Sequence, residues 1–295
     1  MALGFIGTGI MGSRMAINLL KNGHDVIVHN RTQANAQPVI DAGATWAETP
    51  ATVAQQTDIV FTMLAHPNAV ESVALGENGL LSALSEGNLW VDCSTVNPMF
   101  VRRMAEQASK HGIHYMDAPV AGSKNQAQEA QLVFFVGGAD DDVATCQPYF
   151  EAMGKAVNHV GGVSMGTSLK LVINHLLATS MLAFAEGLAL GESLGIDRET
   201  LLNTIVGGPV APPYLAGKRA KIASDTYETE FPLRWMQKDT AMVAETAFDA
   251  GVAMPSANIT KEIFQLATRF GYGDDDFSAI YAFLAHNKGE VNTSD

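Results

Sequence analysis

At 295 residues, with 47% hydrophobic and 17% charged positions, the chain is long enough for two domains and is not of disordered composition. A surplus of acids gives a net charge of −13, which argues against nucleic acid and anionic membrane as partners. An anionic cofactor or substrate therefore needs a local positive site. Cys93 and Cys146 form neither a metal spacing nor a disulfide framework, so no metal site is expected and a reducing, cytoplasmic setting is.

The chain enters its first element at once. Ala2-Leu3-Gly4-Phe5-Ile6 is a short apolar run of the kind that forms a buried parallel strand, and no signal or transit peptide is expected before it. Gly7-Thr8-Gly9-Ile10-Met11-Gly12 follows. A helix over Ser13 to Leu20 comes next, with Met15, Ala16, Leu19 and Leu20 at helical spacing and a stop at Asn22-Gly23. Strand, glycine turn and helix are the context that gives G-x-G-x-x-G its meaning. Gly7 would allow the tight turn, Gly9 the approach of a pyrophosphate, and Gly12 close helix–strand packing. Gly7, Gly9, Ile10, Met11 and Gly12 are thus the expected phosphate end of a dinucleotide site. The alternative is a glycine turn without a ligand.

Asp25 to His29 reads as the second strand, and its tip decides which dinucleotide fits. A site for NAD usually ends this strand with Asp or Glu, to hold the ribose hydroxyls. Here Asn30-Arg31-Thr32 stands in that place. A carboxylate would repel a 2′-phosphate, whereas a guanidinium pairs with it and Asn30 and Thr32 add hydrogen bonds. The expected cofactor is NADP. The plainer reading of Arg31 is a solvated loop charge.

Further apolar runs follow at Asp58–Leu64, Leu89–Cys93 and Leu132–Val136, with a weaker one at His114–Asp117. Helical segments separate them, notably Pro67–Ala74, Pro98–Lys110 and Asp140–Met153. This alternation predicts an α/β fold, a doubly wound, Rossmann-type domain over residues 1 to 162. Beyond it strand signals vanish. Val163 to Leu194 reads as one long helix, apolar nearly all round, which must be buried on several sides, between domains or between subunits. A homo-oligomer is therefore expected. Within it Leu171 to Ala185 is too short and too interrupted, by Asn174 and His175, for a membrane span. An all-α domain over 195 to 295 completes the chain, with helices at Arg198–Val206, Leu233–Ala250, Ser256–Phe270 and Phe277–Asn287. Val291–Asp295 has the look of a frayed end.

Ligands of a parallel sheet bind beyond the carboxyl ends of its strands. Met63 and Leu64 would wall the adenosine side. Ser94 and Thr95 set hydroxyls beside the cofactor path, or simply cap a helix. After Asp117, the loop to Gly122, Ser123 and Lys124 offers backbone N–H groups, a hydroxyl and an ammonium as a cradle for a carboxylate. Lys170 lies in the first turns of the long apolar helix, where an unpaired charge is costly to bury. Asn174 stands one turn on, on the same face. Together they would polarise a carbonyl oxygen and protonate it as hydride reaches the carbon. The alternative for Lys170 is a stem packed at an interface with its charge in water.

Four segments carry a family resemblance. Gly7-x-Gly9-x-Met11-Gly12-x-x-Met15-Ala16-x-Asn18-Leu19 resembles the N-terminal signature of the β-hydroxyacid dehydrogenases. Asp117-Ala-Pro-Val-Ala-Gly resembles their substrate loop, and Lys170-x-x-x-Asn174 their catalytic helix. Phe231-Pro-Leu-Arg-Trp-Met-Gln-Lys238-Asp239 is similar to their C-terminal motif. Within the family, Asn30-Arg31-Thr32, Gly122-Ser123-Lys124, Phe231-Pro-Leu with Gln237-Lys238-Asp239, and Asp276-Phe277-Ser278-Ala279 resemble the glyoxylate/succinic semialdehyde reductases. The resemblance implies NADPH-dependent reduction of small aldehydes that bear a carboxylate, with Lys170 catalytic. It implies Thr95 and Lys238 near the cofactor, Ser123 and Asn174 near the substrate, and Phe231 and Asp239 completing the pocket. Two departures stand out: Ala121 where the family has a serine, and Ser164 where it has a glycine. An NAD-dependent dehydrogenase of 3-hydroxyisobutyrate or a related hydroxy acid is the second enzyme reading. A cofactor-binding sensor that has lost catalysis is a third.

Overall fold

The computed structural model describes residues 2–286, and the expected frayed end at Val291–Asp295 lies outside them. The chain divides into two compact units, residues 1–171 and 172–295.

Unit 1 is built on nine strands: β1 (Leu3–Ile6), β2 (Val26–His29), β3 (Thr45–Trp46), β4 (Ile59–Thr62), β5 (Leu89–Asp92), β6 (His114–Asp117), β7 (Val120–Ala121), β8 (Leu132–Gly137) and β9 (Gly154–Gly161). They hydrogen-bond in the order β3-β2-β1-β4-β5-β6-β8-β7, with β9 on β8. The first six strands of that path run parallel and give the order of a dinucleotide-binding sheet. The strand order reverses between β1 and β4, so a crevice opens at their carboxyl ends. β1, β4 and β5 are buried along their whole length, which is why they read as continuous apolar runs.

The helices of this unit are α1 (Gly12–Lys21), α2 (Gln37–Asp41), α3 (Pro50–Ala54), α4 (Pro67–Leu75), α5 (Pro98–Lys110), α6 (Lys124–Gln128) and α7 (Asp140–Met153). Alternate strand residues feed two cores. Phe5, Phe61 and Val91 pack with Met15, Leu19, Phe134 and Phe150. Ile6, Val60 and Trp90 pack with Val53, Phe100 and Met104. Gly4 has no side chain because α3 lies so close: a Cβ there would sit 2.6 Å from Val53 Cγ1.

Two features go beyond the sequence expectations. Leu132–Gly137 is a strand, but it runs antiparallel to β6 and β7. Gly154–Gly161, which showed no strand signal, pairs parallel with it.

α8 (Met165–Ser193) spans 29 residues, and the division between the units falls within it. By length and composition alone the whole helix could cross a membrane, although its charge-free stretch, Leu171–Ala185, is shorter than a span. Yet Ala178, Met181, Leu182, Ala185 and Leu188 are buried in the core of unit 2, as in the core helix of a globular protein. They pack with residues of α9 (Arg198–Ile205), α10 (Arg219–Ala223), α11 (Leu233–Asp249), α12 (Pro255–Ala267) and α13 (Ile280–His286). The helices account for all the regular elements of unit 2 among its described residues, beside one isolated bridge between Pro232 and Asp276.

Candidate active site

The glycine loop leaves β1 beside the end of β4. Gly7 adopts φ +99°, and a Cβ on it would lie 2.4 Å from the Met63 carbonyl oxygen and 2.8 Å from the Leu64 side chain. Gly12 is tighter still, since its Cβ would fall 1.9 Å from the Gly7 carbonyl oxygen. Gly9 differs: a Cβ there would meet nothing within 4 Å, so no packing within the chain requires glycine at this position. Open space at Gly9 is what a phosphate approaching the backbone needs.

α1 adds to the fit. It has no side-chain cap and no acid in its first turn, so no carboxylate of its own competes for the positive dipole end, although the Ser13 and Arg14 N–H groups already bond to the Gly9 and Met11 carbonyls. Thr8 Oγ1 is buried at the same place with no hydrogen-bond partner among the described residues. Asn30 accepts from the Thr8 N–H at 3.1 Å and donates to the Thr32 carbonyl at 2.9 Å. Its amide thus ties the glycine loop to the tip of β2. Arg31 and Thr32 are exposed there, and Ile10 is exposed on the loop. The residues present fit the pyrophosphate and ribose of a dinucleotide.

At the ends of β4 and β5 a buried network shapes the neighbouring loops. Trp90 Nε1 donates to Thr62 Oγ1 (2.9 Å), which donates to Asp92 Oδ1 (2.8 Å); the Ser94 N–H reaches the same oxygen at 3.0 Å. Ser94 Oγ accepts the Leu64 N–H at 2.9 Å, so the loop holding Met63 and Leu64 is fixed to the loop holding Thr95. Burial pushes the Asp92 carboxyl up to about 6, against the bonds from Ser94, Thr62 and Tyr115 that favour its charge.

Asp117 stands opposite Asp92 on the adjacent strand, and its role differs from that of a mere loop opening. Its two oxygens accept the Ser164 and Thr167 N–H groups, each at 2.7 Å, across the start of α8. Burial raises this carboxyl to about 6 as well; those N–H bonds oppose the rise and the Asp92 charge adds to it. Further along the loop, Gly122 has φ +114°. Ser123 begins α6, with its hydroxyl donating to Gln126 Oε1 at 3.0 Å and its N–H reaching the same oxygen at 3.0 Å. The hydroxyl proposed for substrate therefore already serves a helix start. Lys124 follows it, half-buried. Lys170 is half-buried on α8, three residues beyond Thr167.

Unit 2 holds a second polar cluster. Asn174, one turn beyond Lys170 on α8, donates from Nδ2 to Asp239 Oδ2 at 2.6 Å. Both residues are buried. Facing a carboxylate, the amide must present its NH2 group, which turns Oδ1 elsewhere; that oxygen is buried with no hydrogen-bond partner among the described residues. Lys238 Nζ lies 3.1 Å from Asp239 Oδ1, close enough for an ion pair though off hydrogen-bond geometry.

The approach to α11 is fixed by a group that the sequence flagged only as a motif. Asp276, fully buried, pairs with Lys218 Nζ at 2.9 Å and accepts the Phe231 N–H at 3.2 Å and the Ser278 hydroxyl at 2.7 Å. Phe231 also packs its ring against Phe277, with centroids 5.8 Å apart.

Unit 1 thus brings together Gly7, Gly12, Met63 and Leu64 at one sheet edge, with Asn30 bonded to the loop. Unit 2 brings together Asn174, Lys238 and Asp239. Sequence reasoning missed Asp92, Lys218 and the anchoring role of Asp117. A lone acid ending an apolar strand was the available signal for the two aspartates. For Lys218 there was none. Among the described residues no group of His, Cys, Asp and Glu is placed to hold a metal.

Comparison with known proteins accords with this geometry. Residues 2–161 match the model of the NAD-binding domain of 6-phosphogluconate dehydrogenase. Residues 164–284 match the NAD-binding domain of NADP-dependent 3-hydroxyisobutyrate dehydrogenase. Glyoxylate/succinic semialdehyde reductase 2 of Arabidopsis thaliana, a chloroplastic protein, is 35% identical over 96% of this chain and 79% of its own length. The 2-(hydroxymethyl)glutarate dehydrogenase of Eubacterium barkeri is 36% identical over 94% of this chain and 93% of its own. The solved structure of Mycobacterium tuberculosis 3-hydroxyisobutyrate dehydrogenase with L-serine superposes with a TM-score of 0.86 at 26% identity, covering 96% of this chain and 98% of that one. With the glycine loop, the lysine helix and the C-terminal motif all in place, the chain belongs to the 3-hydroxyisobutyrate dehydrogenase family of NAD(P)-dependent hydroxyacid dehydrogenases and reductases.

Proposed function

We propose that this enzyme uses NADPH to reduce small aldehydes bearing a carboxylate, with glyoxylate and succinic semialdehyde as the model substrates. The observation that carries this reading is Lys170 one turn before Asn174 on α8, with Asn174 held by Asp239. The choice of NADPH is supported by the tip of β2, where Asn30, Arg31 and Thr32 replace the usual acid.

Gly7, Gly9, Ile10, Met11 and Gly12 would hold the pyrophosphate against the start of α1, and Arg31 the 2′-phosphate. Met63, Leu64 and Thr95 would line its path. When bound, the reduced nicotinamide supplies a hydride to the carbonyl carbon. Lys170 gives a proton to the carbonyl oxygen as it becomes a hydroxyl, and regains one from solvent. Asn174 orients that oxygen. Its remaining N–H is the donor available for this, because the other is committed to Asp239; Oδ1 can accept only from the hydroxyl once it has formed. Gly122, Ser123 and Lys124 receive the substrate carboxylate, Lys124 through its charge.

The test is NADPH and NADH oxidation by the purified protein against glyoxylate, succinic semialdehyde and larger aldehydes. The proposal requires NADPH to be preferred and a carboxylate-bearing aldehyde to be turned over fastest. A strict preference for NADH over NADPH, with oxidation of 3-hydroxyisobutyrate by NAD+, would instead favour the dehydrogenase reading. Arg31→Glu should raise KM for NADPH at least about tenfold and leave NADH nearly unchanged, since it swaps an ion pair for repulsion. Equal losses for both cofactors would remove the 2′-phosphate argument. We also infer self-association, supported by Val172, Leu176 and Leu190 exposed along α8, and a reducing cytoplasm, supported by the buried free thiols of Cys93 and Cys146. Sedimentation of the purified chain tests the former.

A further inference from the structure

The helix that carries Lys170 is fixed at its start by a residue from another element. A helix leaves its first four N–H groups unpaired. In α8 two of the N–H groups at the entrance, those of Ser164 and Thr167, end on the two oxygens of Asp117, at the last position of β6. Bonds of 2.7 Å to a carboxylate are at the short end of the charge-assisted range, and negative charge at a helix N-terminus is favourable. Ser164 cannot easily take over this capping. Its backbone lies at φ +79°, and its hydroxyl accepts from Arg102 Nε at 3.2 Å.

The same turn is pressed onto β8 with no side chain between. A Cβ on Gly166 would lie 2.2 Å from the Phe135 carbonyl oxygen. One on Gly137 would lie 2.6 Å from Asp117 Oδ1 and 2.9 Å from the Gly166 nitrogen. Asp117 therefore sits in a seam that permits neither sliding nor rotation of the turn while both bonds hold. Lys170 is three residues beyond Thr167, a rise of about 4.5 Å along the axis. The loop to Gly122, Ser123 and Lys124 departs from Asp117 itself.

We propose that Asp117 is a positioning residue: it sets the axial position and rotation of the first turn of α8, and so places Lys170 against the 118–124 loop. The inference rests on the reading of Lys170 as proton donor. Misplacing a reacting group by about 1 Å costs on the order of a hundredfold in rate, so the anchor acts on turnover and not on cofactor affinity.

Asp117→Asn is the discriminating variant. Its carbonyl oxygen still accepts one N–H, while its NH2 opposes the other. Turnover of glyoxylate with NADPH, corrected for folded fraction, is measured beside Lys170→Ala, together with KM for NADPH and amide exchange over residues 164–170 and 7–15. The expected result is at least a tenfold loss of kcat with KM for NADPH within about twofold. Exchange should be faster over 164–170 and unchanged over 7–15. If Asp117→Asn does not fold, Thr167→Pro removes one donor at a first-turn position where proline is tolerated, and the same loss of kcat is expected. Wild-type kcat per folded molecule in either variant, with Lys170→Ala inactive, overturns the positioning role alone. Wild-type kcat in Lys170→Ala overturns the reading on which it rests.

Discussion

Asp92 and Asp117 in unit 1, and Asp276 in unit 2, are buried carboxylates held in contrasting ways. The first two end adjacent strands and take their partners from hydroxyls and backbone N–H groups. Asp276 also takes N–H groups and the Ser278 hydroxyl, but it adds a cation, the ammonium of Lys218, 58 residues away in sequence. Asn174 and Asp239 repeat the pattern over 65 residues. In unit 1 strand-end hydroxyls and backbone N–H groups fix the polar geometry. In unit 2 pairs of side chains fix it, so a single substitution strands a charge.

The largest expected effect follows from that contrast. Lys218→Met should leave the buried Asp276 without its cation, while Glu230 keeps Lys221, and destabilise unit 2 by about 3–5 kcal/mol, read from a urea midpoint. A loss below 1 kcal/mol would mean that the N–H groups alone hold Asp276, and the contrast would disappear.

A second effect concerns pH. A carboxyl at about 6 in the folded state and 3.8 in the unfolded one takes up a proton on folding between those values. Its charge therefore costs stability above pH 6, and that cost vanishes as pH falls through the window. For Asp92 the difference is worth about 3 kcal/mol between the two limits. Relative to wild type, Asp92→Asn should lack this gain when urea unfolding at pH 7 is compared with pH 4.5. Parallel pH dependences for the two proteins would show that Asp92 does not titrate in this range.

The smallest effect tests the backbone. Ser164 stands at φ +79°, a conformation that costs a serine about 1 kcal/mol and a glycine little. Ser164→Gly should raise stability by about 0.5–1 kcal/mol despite losing the contact with Arg102. A lowered midpoint would give that contact the greater weight.

These contrasts explain what the sequence could disclose. The glycine loop, the acid-free tip of β2 and the Lys170–Asn174 spacing are local patterns, legible because strand, turn and helix periods are local. The direction of β8 is set by its partners, so Leu132–Val136 reads the same whether parallel or antiparallel. β9 hides because Lys155, Asn158 and His159 dilute its apolar residues and its pairing is with β8. The bond of Asn18 to the Ala127 carbonyl spans 109 positions, and the anchor from Asp117 spans 47 and 50. Asp276-Phe277-Ser278-Ala279 was visible as a motif, but its purpose required Lys218 beside it.

The account stands or falls on proton donation by Lys170. Lys170→Arg keeps the positive charge but removes a releasable proton, because a guanidinium stays protonated. With glyoxylate and NADPH, its kcat should fall by about 10²–10⁴, as for Lys170→Ala, while NADPH binding followed by fluorescence stays within about twofold. Turnover by Lys170→Arg close to that of the wild type would contradict the account.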